Sequence, residues 1–219
     1  MSVSTRFRTR VSALTASSVR KMQRGRANTP LFWSVLTVVV LADVITKAIA
    51  VYSLVPQRIP HELFGDTVRF TLVYNPGAAF GLHLGAYSRW IFMVLTVGAL
   101  FILGRLYRAT RDGDLVRTLA ISLVCAGAIG NLIDRIRSAQ GVVDFIDVGV
   151  GDARWPTFNV ADMAVSIGAF LLAWVLWGED AKEAERKQLA DSQSSGEPEP
   201  LAENISPPVQ VKAAAGGDI

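Results

Sequence analysis

The chain has 219 residues, of which 51% are hydrophobic and 19% are charged, and its mean hydropathy is +0.34. This composition is too apolar for an average soluble domain and indicates a membrane protein. The formal net charge is only +3, and we expect no nucleic-acid partner. The single cysteine, Cys125, excludes an intrachain disulfide and a cysteine-cluster metal site.

Four apolar segments are each long enough to cross a bilayer core of roughly 30 Å at about 1.5 Å per residue. They lie at about 31–55, 88–107, 116–136 and 158–178. A cleaved signal peptide is an alternative for the first segment, because a basic stretch precedes it. Asp43 and Lys47 interrupt its apolar run, and its length suffices to span, which favours a retained helix. The sequence therefore predicts an all-α integral membrane fold with four transmembrane helices.

Positive charge indicates which side of the membrane is cytoplasmic. Residues 1–30 carry seven Arg or Lys residues and no acid, and the link between the second and third segments carries Arg108, Arg111 and Arg117. Basic residues concentrate in cytoplasmic regions, so both stretches are predicted to be cytoplasmic. An even number of spans also returns the C-terminus to the cytoplasm, and the other two loops face outward.

The two outer loops carry strand-like sequences. The first alternates in polarity over 68–74 before the turn residues Asn75, Pro76 and Gly77, and the second has a β-like run at 142–148. These patterns predict a small extracytoplasmic β element on the outer membrane surface.

Composition divides the chain into three parts. A basic cytoplasmic extension occupies 1–30, and the four-helix membrane domain occupies 31–178. The polar remainder, 179–219, is predicted to be a disordered cytoplasmic tail, because it lacks the bulky apolar side chains that a packed core needs.

Four different segments place uncommon polar residues at one level, the outer membrane boundary. Asp43 and Lys47 lie one helical turn apart in the outer half of the first span. Asp144 lies in the second outer loop, and Asp162 interrupts the start of the last apolar run. An unpaired carboxylate near hydrocarbon is costly, so this convergence predicts a functional site at the outer face. The remaining members of the group are Asn131, Asp134, Arg135 and Asn159.

Simpler interpretations remain open for several of these residues. Asp43 and Lys47 form an i,i+4 pair whose only task would be to make the helix tolerable in lipid. Asn159 would merely cap the helix that it precedes, because Asn is a preferred N-cap residue. Asp147 and Asp152 are interpreted as solvated loop residues without a role in the site.

Asp144 and Asp162 are the candidate reactive pair. Two carboxylates held close together tend to share one proton, because like charges cannot both ionise comfortably. The ionised member then takes a proton from water while the protonated member donates a hydrogen bond to a substrate carbonyl. This chemistry hydrolyses a peptide bond with neither a metal nor a cofactor, and we predict neither.

Two other functions would use carboxylates in a membrane. A small ion or proton-coupled transporter would use them as relays, although relays should be spread across the membrane depth. A metal-dependent lipid hydrolase would use Asp and Asn oxygens to hold a divalent cation.

Four short sequences, in this order, resemble the signature blocks of the lipoprotein signal peptidase family, also called type II signal peptidase. They are NPGAAFG at 75–81, GAIGNLIDR at 127–135, GVVDF at 141–145 and FNVAD at 158–162. The resemblance covers about residues 31–178, and the basic extension and the polar tail lie outside it.

The resemblance implies a membrane-embedded aspartic endopeptidase that removes the signal peptide from bacterial prolipoproteins, cleaving before the diacylglyceryl-modified cysteine. Asp144 and Asp162 would be its catalytic dyad. Its partners would be diacylglyceryl-modified prolipoproteins and membrane lipids. It would work as a monomer in the bacterial cytoplasmic membrane, with its active site at the outer face. The matching positions that bind substrate or support the site are Asn75, Asn131, Arg135, Asn159, Asp43, Lys47, Gly127 and Asp134.

Overall fold

The computed structural model describes residues 28–77 and 85–195. Within these ranges the chain forms four α-helices and four β-strands, and a short 3-10 helix at Gly85–Tyr87 precedes the second α-helix. The helices are α1 (Thr29–Ser53), α2 (Ser88–Ala109), α3 (Leu115–Arg137) and α4 (Val160–Ser195). The strands are β1 (His61–Phe64), β2 (Val68–Asn75), β3 (Val142–Val150) and β4 (Ala153–Arg154). Residues 1–27, which hold most of the predicted basic extension, lie outside the described part.

Each of the four helices is long and apolar enough to cross a membrane. Large apolar side chains on them are left unburied by the rest of the protein. In water such a surface would be costly, whereas hydrocarbon accepts it. Examples that are each at least 65% exposed are Val38, Val94, Phe101, Phe170 and Trp174. The predicted fold of four transmembrane helices with a small β element is confirmed, and the helix ends lie within two residues of the predicted ones except at the end of α4.

Helix α4 continues past its apolar part as far as Ser195. The tail was predicted to be disordered from 179, but residues 179–195 are helical, because they are rich in the helix formers Ala, Glu, Lys and Gln. An exposed i,i+4 ion pair, with Lys187 Nζ 2.8 Å from Glu183 Oε1, adds to this local preference. Residues 196–219 lie outside the described part. The chain divides into two compact units between Trp177 and Gly178. The division into a basic extension, a membrane domain and a cytoplasmic tail stays a prediction.

Helix α3 packs against its neighbours through small residues that let the backbones approach closely. A Cβ atom built on Gly127 would collide with the carbonyl oxygen of Ala161, at the start of α4. A Cβ atom on Gly130 would lie 2.5 Å from Asp43 Oδ2 on α1. Glycine is therefore required at both positions for α1, α3 and α4 to meet at this depth.

The four strands form one antiparallel sheet in the order β1-β2-β3-β4. The last turn of α1 packs against β2 and β3, and this contact anchors the sheet on the bundle. The buried apolar cluster between them consists of Ala50, Leu54, Leu72, Val143 and Phe145. The sheet therefore lies at the end of the bundle where α1 ends.

A one-residue bulge in β2 decides which side chains face the site. Phe70 pairs with Ile146, but the next pair joins Val73 to Asp144, so β2 contains one residue more than β3 over this interval. Directly opposed residues point to the same face of a sheet, and every second residue returns to that face. The bulge therefore places Asn75, two residues after Val73, on the same face as Asp144.

We predict that Gly127→Ala destabilises the fold by about 1–3 kcal/mol, because the added methyl group overpacks the contact with α4. Thermal unfolding of the detergent-solubilised protein measures the effect. The matched control is Gly104→Ala on α2, where a Cβ atom meets nothing within 4 Å and no loss is expected. An equal response of the two variants would contradict the close-approach interpretation.

Candidate active site

All ten residues predicted for the site lie together at one end of the helical bundle, where α1 and α3 end and α4 begins. Their packing is unusual for an apolar bundle, because several charged and amide side chains are almost fully buried. The relative exposure of Asp43 is 0%, that of Lys47 is 3%, that of Asp144 is 2% and that of Asn159 is 0%. Burial of this kind requires each polar group to find partners within the protein.

Lys47 is the central cation of this group. Its Nζ atom lies 2.8 Å from Asp43 Oδ2 and 2.8 Å from Asp134 Oδ2, and it donates a hydrogen bond of 3.0 Å to Asn131 Oδ1. Three oxygen atoms therefore lie within 3.0 Å of the ammonium nitrogen. Asp43 and Lys47 are thus more than an i,i+4 pair on one helix, because the same cation also binds two side chains of α3.

Asp43 also holds the beginning of α4. Its Oδ1 atom accepts a hydrogen bond of 2.9 Å from the backbone N–H of Ala161, one of the N–H groups that the first turn of a helix leaves unpaired. A carboxylate at this position also interacts favourably with the positive end of the helix dipole. The side chain from α1 therefore acts as a cap for a helix that begins 117 residues later in the chain, at Val160.

Asn159 and Asp162 form a reciprocal cap at the same helix terminus. Asn159 Oδ1 accepts from the N–H of Asp162 at 2.9 Å, and Asp162 Oδ2 accepts from the N–H of Asn159 at 3.2 Å. The amide nitrogen of Asn159 then donates to Asp144 Oδ1 at 2.7 Å. Capping and site support were the two interpretations of Asn159, and its side chain makes both kinds of contact.

The carboxyl group of Asp144 is held by two amide groups. Asn159 contacts Oδ1, and Asn75 Nδ2 donates to Oδ2 at 3.1 Å. Burial, and next the nearby charge of Asp162, raise the pKa of Asp144 to about 7, although the hydrogen bonds from Asn75 and Asn159 favour its ionised form. Asp144 therefore exchanges its proton near neutral pH.

Asp162 is held by a third amide and is less buried than Asp144. Asn131 Nδ2 donates to its Oδ1 atom at 2.7 Å. Because Asn131 Oδ1 simultaneously accepts from Lys47, the amide cannot turn without losing a contact to the cation. Lys47 and Asn159, which both donate to Asn131 Oδ1, therefore set the orientation of the amide that holds Asp162.

Arg135 joins the end of α3 to the turn that follows β2. Its Nη2 atom donates to the carbonyl oxygen of Gly77 at 2.9 Å, and its Nη1 atom donates to that of Asn131 at 3.2 Å. The turn is closed by the N–H of Gly77, which donates to Asn75 Oδ1 at 3.0 Å. Gly141, with φ of +103°, lies so close to the backbone of Asn75 that no side chain would fit. These contacts fix the amide that binds Asp144.

Asp144 and Asp162 both line an open crevice of about 540 Å³. Asn75, Asn131 and Arg135 surround the carboxyl groups at its polar end. The rest of its wall is mostly apolar and comes from the loop before α4 and from the exposed face of α4, with Trp155, Pro156, Phe158, Met163 and Ile167. A ligand that is polar at one end and apolar along its length would match this lining.

One interpretation made from the sequence is wrong. Asp147 was assigned to a solvated loop, but it lies within β3 and is only 5% exposed. Arg69 and Arg154 bind its carboxylate, and neither partner is adjacent to it in sequence. Asp152, the other acid assigned to that loop, is exposed as expected.

A second residue that sequence reasoning missed is Arg89, at the start of α2. Its Nε and Nη2 atoms donate to the backbone carbonyl oxygens of Arg135 and Ile136 at 2.6 and 3.1 Å. These carbonyls belong to the last turn of α3, which lacks partners within its own helix. In the sequence, Arg89 is recognisable only as a basic residue near the outer end of a helix. Nothing in the sequence shows which helix end it would cap.

An aspartate pair in which one member has a pKa raised to about 7, placed in a crevice at the end of four membrane-length helices, is typical of a membrane-embedded aspartic hydrolase. Comparison with known proteins makes this class more specific.

Residues 35–178 match the family model described as Signal peptidase (SPase) II. The lipoprotein signal peptidase of Cupriavidus taiwanensis is 40% identical over 172 residues, which cover 74% of this chain and 94% of that protein. The lipoprotein signal peptidase of Halothermothrix orenii is 39% identical over 151 residues, 68% of this chain and 97% of that protein. A solved bacterial membrane enzyme structure matches with a TM-score of 0.65 and 29% identity, over 73% of this chain and 95% of that one. The chain belongs to the signal peptidase II family.

We predict that Lys47→Met lowers the free energy of unfolding by about 3–5 kcal/mol, because it leaves two buried carboxylates without their cation. Chemical or thermal unfolding in detergent measures the loss. Lys187→Met is a matched control, since it removes the cation of another i,i+4 pair whose side chains are 72% and 67% exposed. That variant should unfold like the wild type. A Lys47→Met protein as stable as the control would show that the buried ion group contributes little.

Proposed function

We propose that this protein removes signal peptides from bacterial prolipoproteins by cleaving the peptide bond before a diacylglyceryl-modified cysteine. The observation that supports this most directly is the meeting of Asp144 and Asp162 in one crevice at an end of the bundle. The lipoprotein signal peptidases that it resembles over most of their length supply the substrate class. Membership of a peptidase family decides against a transporter or a lipid hydrolase.

The two aspartates take different parts in the proposed reaction. Asp144, whose pKa is about 7, carries the proton at neutral and acidic pH and donates a hydrogen bond to the scissile carbonyl oxygen. Asp162, the more accessible carboxylate, accepts a proton from a water molecule as its oxygen attacks the carbonyl carbon. In the same step Asp144 transfers its proton to the carbonyl oxygen, which gives a gem-diol intermediate. The gem-diol collapses as Asp162 gives its proton to the leaving amine and a diol hydroxyl returns its proton to Asp144. One proton is therefore shared by the pair throughout the cycle.

The supporting residues are proposed to control geometry without neutralising the dyad. Asn75 and Asn159 hold Asp144, and Asn131 holds Asp162, so within the described part of the chain the side-chain hydrogen bonds to the dyad come from neutral amides. Lys47 holds Asn131 directly, Asp43 holds the start of α4, and Asp134 holds β3. Arg135 holds the turn that carries Asn75, next to the crevice through which a substrate backbone would pass.

The substrate and the site are proposed to meet at the outer surface of the bacterial cytoplasmic membrane. A prolipoprotein is anchored there by its lipid and by its apolar signal segment, so its scissile bond lies near the membrane boundary. The apolar wall of the crevice would accept such a chain, and the open polar end would admit water. Both termini would be cytoplasmic and the protein would act as a monomer, with basic residues 1–30 setting its orientation.

Asp144→Asn and Asp162→Asn should each abolish cleavage, with a loss of at least about a thousandfold, because Asn keeps the size of the side chain but cannot exchange the required proton. The assay follows cleavage of a diacylglyceryl-modified precursor by purified variants in detergent or nanodiscs. Asp152→Asn, an exposed acid outside the crevice, is the control and should retain wild-type activity. Cleavage retained in either dyad variant would sink the assignment. Equal cleavage of lipidated and unlipidated precursors would contradict the proposed substrate.

The pH dependence of cleavage should report the proton on Asp144. The proposed mechanism needs this proton, so activity should fall as pH rises through about 7. Asn75 stabilises the ionised form of Asp144, so Asn75→Ala should raise its pKa and move the alkaline limb of the profile to higher pH. The measurement is kcat/KM against pH for both proteins. A limb that stays in place or moves to lower pH would contradict the role of Asp144 as the protonated member.

A further inference from the structure

Four charged residues form a connected group on the sheet, outside the crevice. We call Asp66, Arg69, Asp147 and Arg154 the sheet ion cluster. Asp147 is its centre: Arg69 donates to its Oδ2 atom from Nε at 3.1 Å and from Nη2 at 3.0 Å, and Arg154 Nε donates to its Oδ1 atom at 2.8 Å. Thr71 Oγ1 adds a fourth hydrogen bond, of 2.9 Å, to Oδ2. Both carboxylate oxygens are therefore bound.

The cluster is built more firmly than a typical surface ion pair. The side chains of Asp147, Arg69 and Arg154 are only 8%, 20% and 16% exposed, whereas Asp66 is 48% exposed. Burial by itself would raise the pKa of Asp147, but the hydrogen bonds from Arg154, Thr71 and Arg69 outweigh it and hold that pKa below its usual value. The carboxylate of Asp147 is therefore ionised at neutral pH.

These contacts connect three strands through one side chain. Asp147 belongs to β3, Arg69 stands directly opposite it on β2, and Arg154 belongs to β4. Arg154 also contacts the loop between β1 and β2, where Nη1 donates to the backbone oxygen of Asp66 at 2.5 Å. The cluster therefore fixes the position of β3 relative to β2 and β4.

Strand β3 in turn carries one half of the dyad and holds the other half. Asp144 lies three residues before Asp147 on the strand itself. On its other side, β3 binds the segment that leads into α4: Phe145 and Ile146 donate to the carbonyl oxygen of Phe158 at 3.0 and 2.8 Å, and Phe158 donates back to Ile146 at 3.0 Å. The next residue is Asn159, which caps the helix that bears Asp162. A displacement of β3 would therefore change the relation between the two carboxyl groups.

We propose that Asp147 is a positioning residue for the dyad, and that the sheet ion cluster sets the distance between the Asp144 and Asp162 carboxyl groups by fixing β3. This proposal rests on the proposed function, because it takes those two groups as the reacting pair. Asp147 does not line the crevice and touches no reacting atom. Its effect on the reaction passes through the strand.

Two variants separate a geometric effect of the cluster from a direct electrostatic one. Loosening β3 would move Asp144 away from Asp162 and toward water, so its pKa would fall toward the ordinary value for aspartate. Asp147→Asn and Arg154→Gln should both produce this loosening. Direct electrostatics predicts opposite signs instead, since removing an acid lowers the pKa of Asp144 and removing a cation raises it.

The experiment measures kcat, KM and the pH profile of cleavage for the wild type, Asp147→Asn and Arg154→Gln in nanodiscs, with a lipidated precursor. In both variants we expect kcat to fall by about tenfold or more while KM changes little, because small misplacements of reacting groups are costly. The alkaline limb should move to lower pH in both. Asp152→Asn, on the turn between β3 and β4, controls for the loss of a nearby acid and should match the wild type in all three measurements.

Three results would overturn the proposal. Wild-type kcat in Asp147→Asn would show that the cluster is not needed. A limb that moves to higher pH in Arg154→Gln would show that the charges act directly. A lower maximal rate with an unmoved limb, in proportion to the folded fraction measured by size-exclusion chromatography, would show a role in folding only. Failure of the proposed function itself is recognised separately, because the wild type would then not cleave the precursor or Asp144→Asn would still cleave it.

Discussion

The contact of Lys47 with two acids is the interaction on which the rest of this site depends. A single buried ammonium group joins Asp43 of α1 to Asp134 and Asn131 of α3. Asp43 also accepts a hydrogen bond from the first turn of α4, and Asp134 Oδ2 accepts one of 3.2 Å from the N–H of Val143 in β3. Four elements therefore share one electrostatic centre, and α1 is far from the other three in the chain. Charges as buried as these are tolerated only when each is paired, so the elements must assemble together or not at all.

Charged and neutral partners are divided between the two groups of acids in this molecule. Lys47 binds Asp43 and Asp134, whereas the side chains that contact the proposed dyad are the amides of Asn75, Asn131 and Asn159. A cation in contact with Asp144 would favour its ionised form and lower its pKa, and the pair could no longer share a proton near neutral pH. A neutral amide orients a carboxyl group by a hydrogen bond without adding a positive charge that would lower its pKa as strongly. Lys47, Asp43 and Asp134 thus make the site rigid without contacting the dyad. Their charges therefore do not prevent Asp144 from holding the proton that the proposed chemistry needs.

The sequence predicts those features that depend on local patterns. The helix ends other than the C-terminal end of α4, the strands β2 and β3, and the helix start at Asn159 follow from hydropathy, alternation and the preference of Asn for N-cap positions. The bulge in β2 could not be predicted, although it decides that Asn75 faces Asp144. The burial of Asp147 was missed for a related reason. Its partner Arg69 lies 78 residues earlier, and only the strand pairing, which is a property of the whole fold, places the two side chains together. Residues 179–195 are polar and also rich in helix formers, so their polarity predicts the lack of a packed core but does not exclude a helix.

The contrast between Asp147 and Asp152 shows why burial and partners, and not residue type, decide what an acid does in this protein. Both lie between the end of α3 and Trp155, a stretch of seventeen residues that contains three acids. Asp152 is in the turn between β3 and β4 and is exposed to solvent, so water screens its charge. Asp147 faces two arginines across neighbouring strands, and its charge is shielded from water. An acid held in this way keeps its strand in place, because a shift of the strand would break several charge-assisted hydrogen bonds at once. Asp144 lies on the same strand, so its backbone is held in place by these bonds. Its own carboxyl group contacts no cation among the described residues and stays titratable near neutral pH.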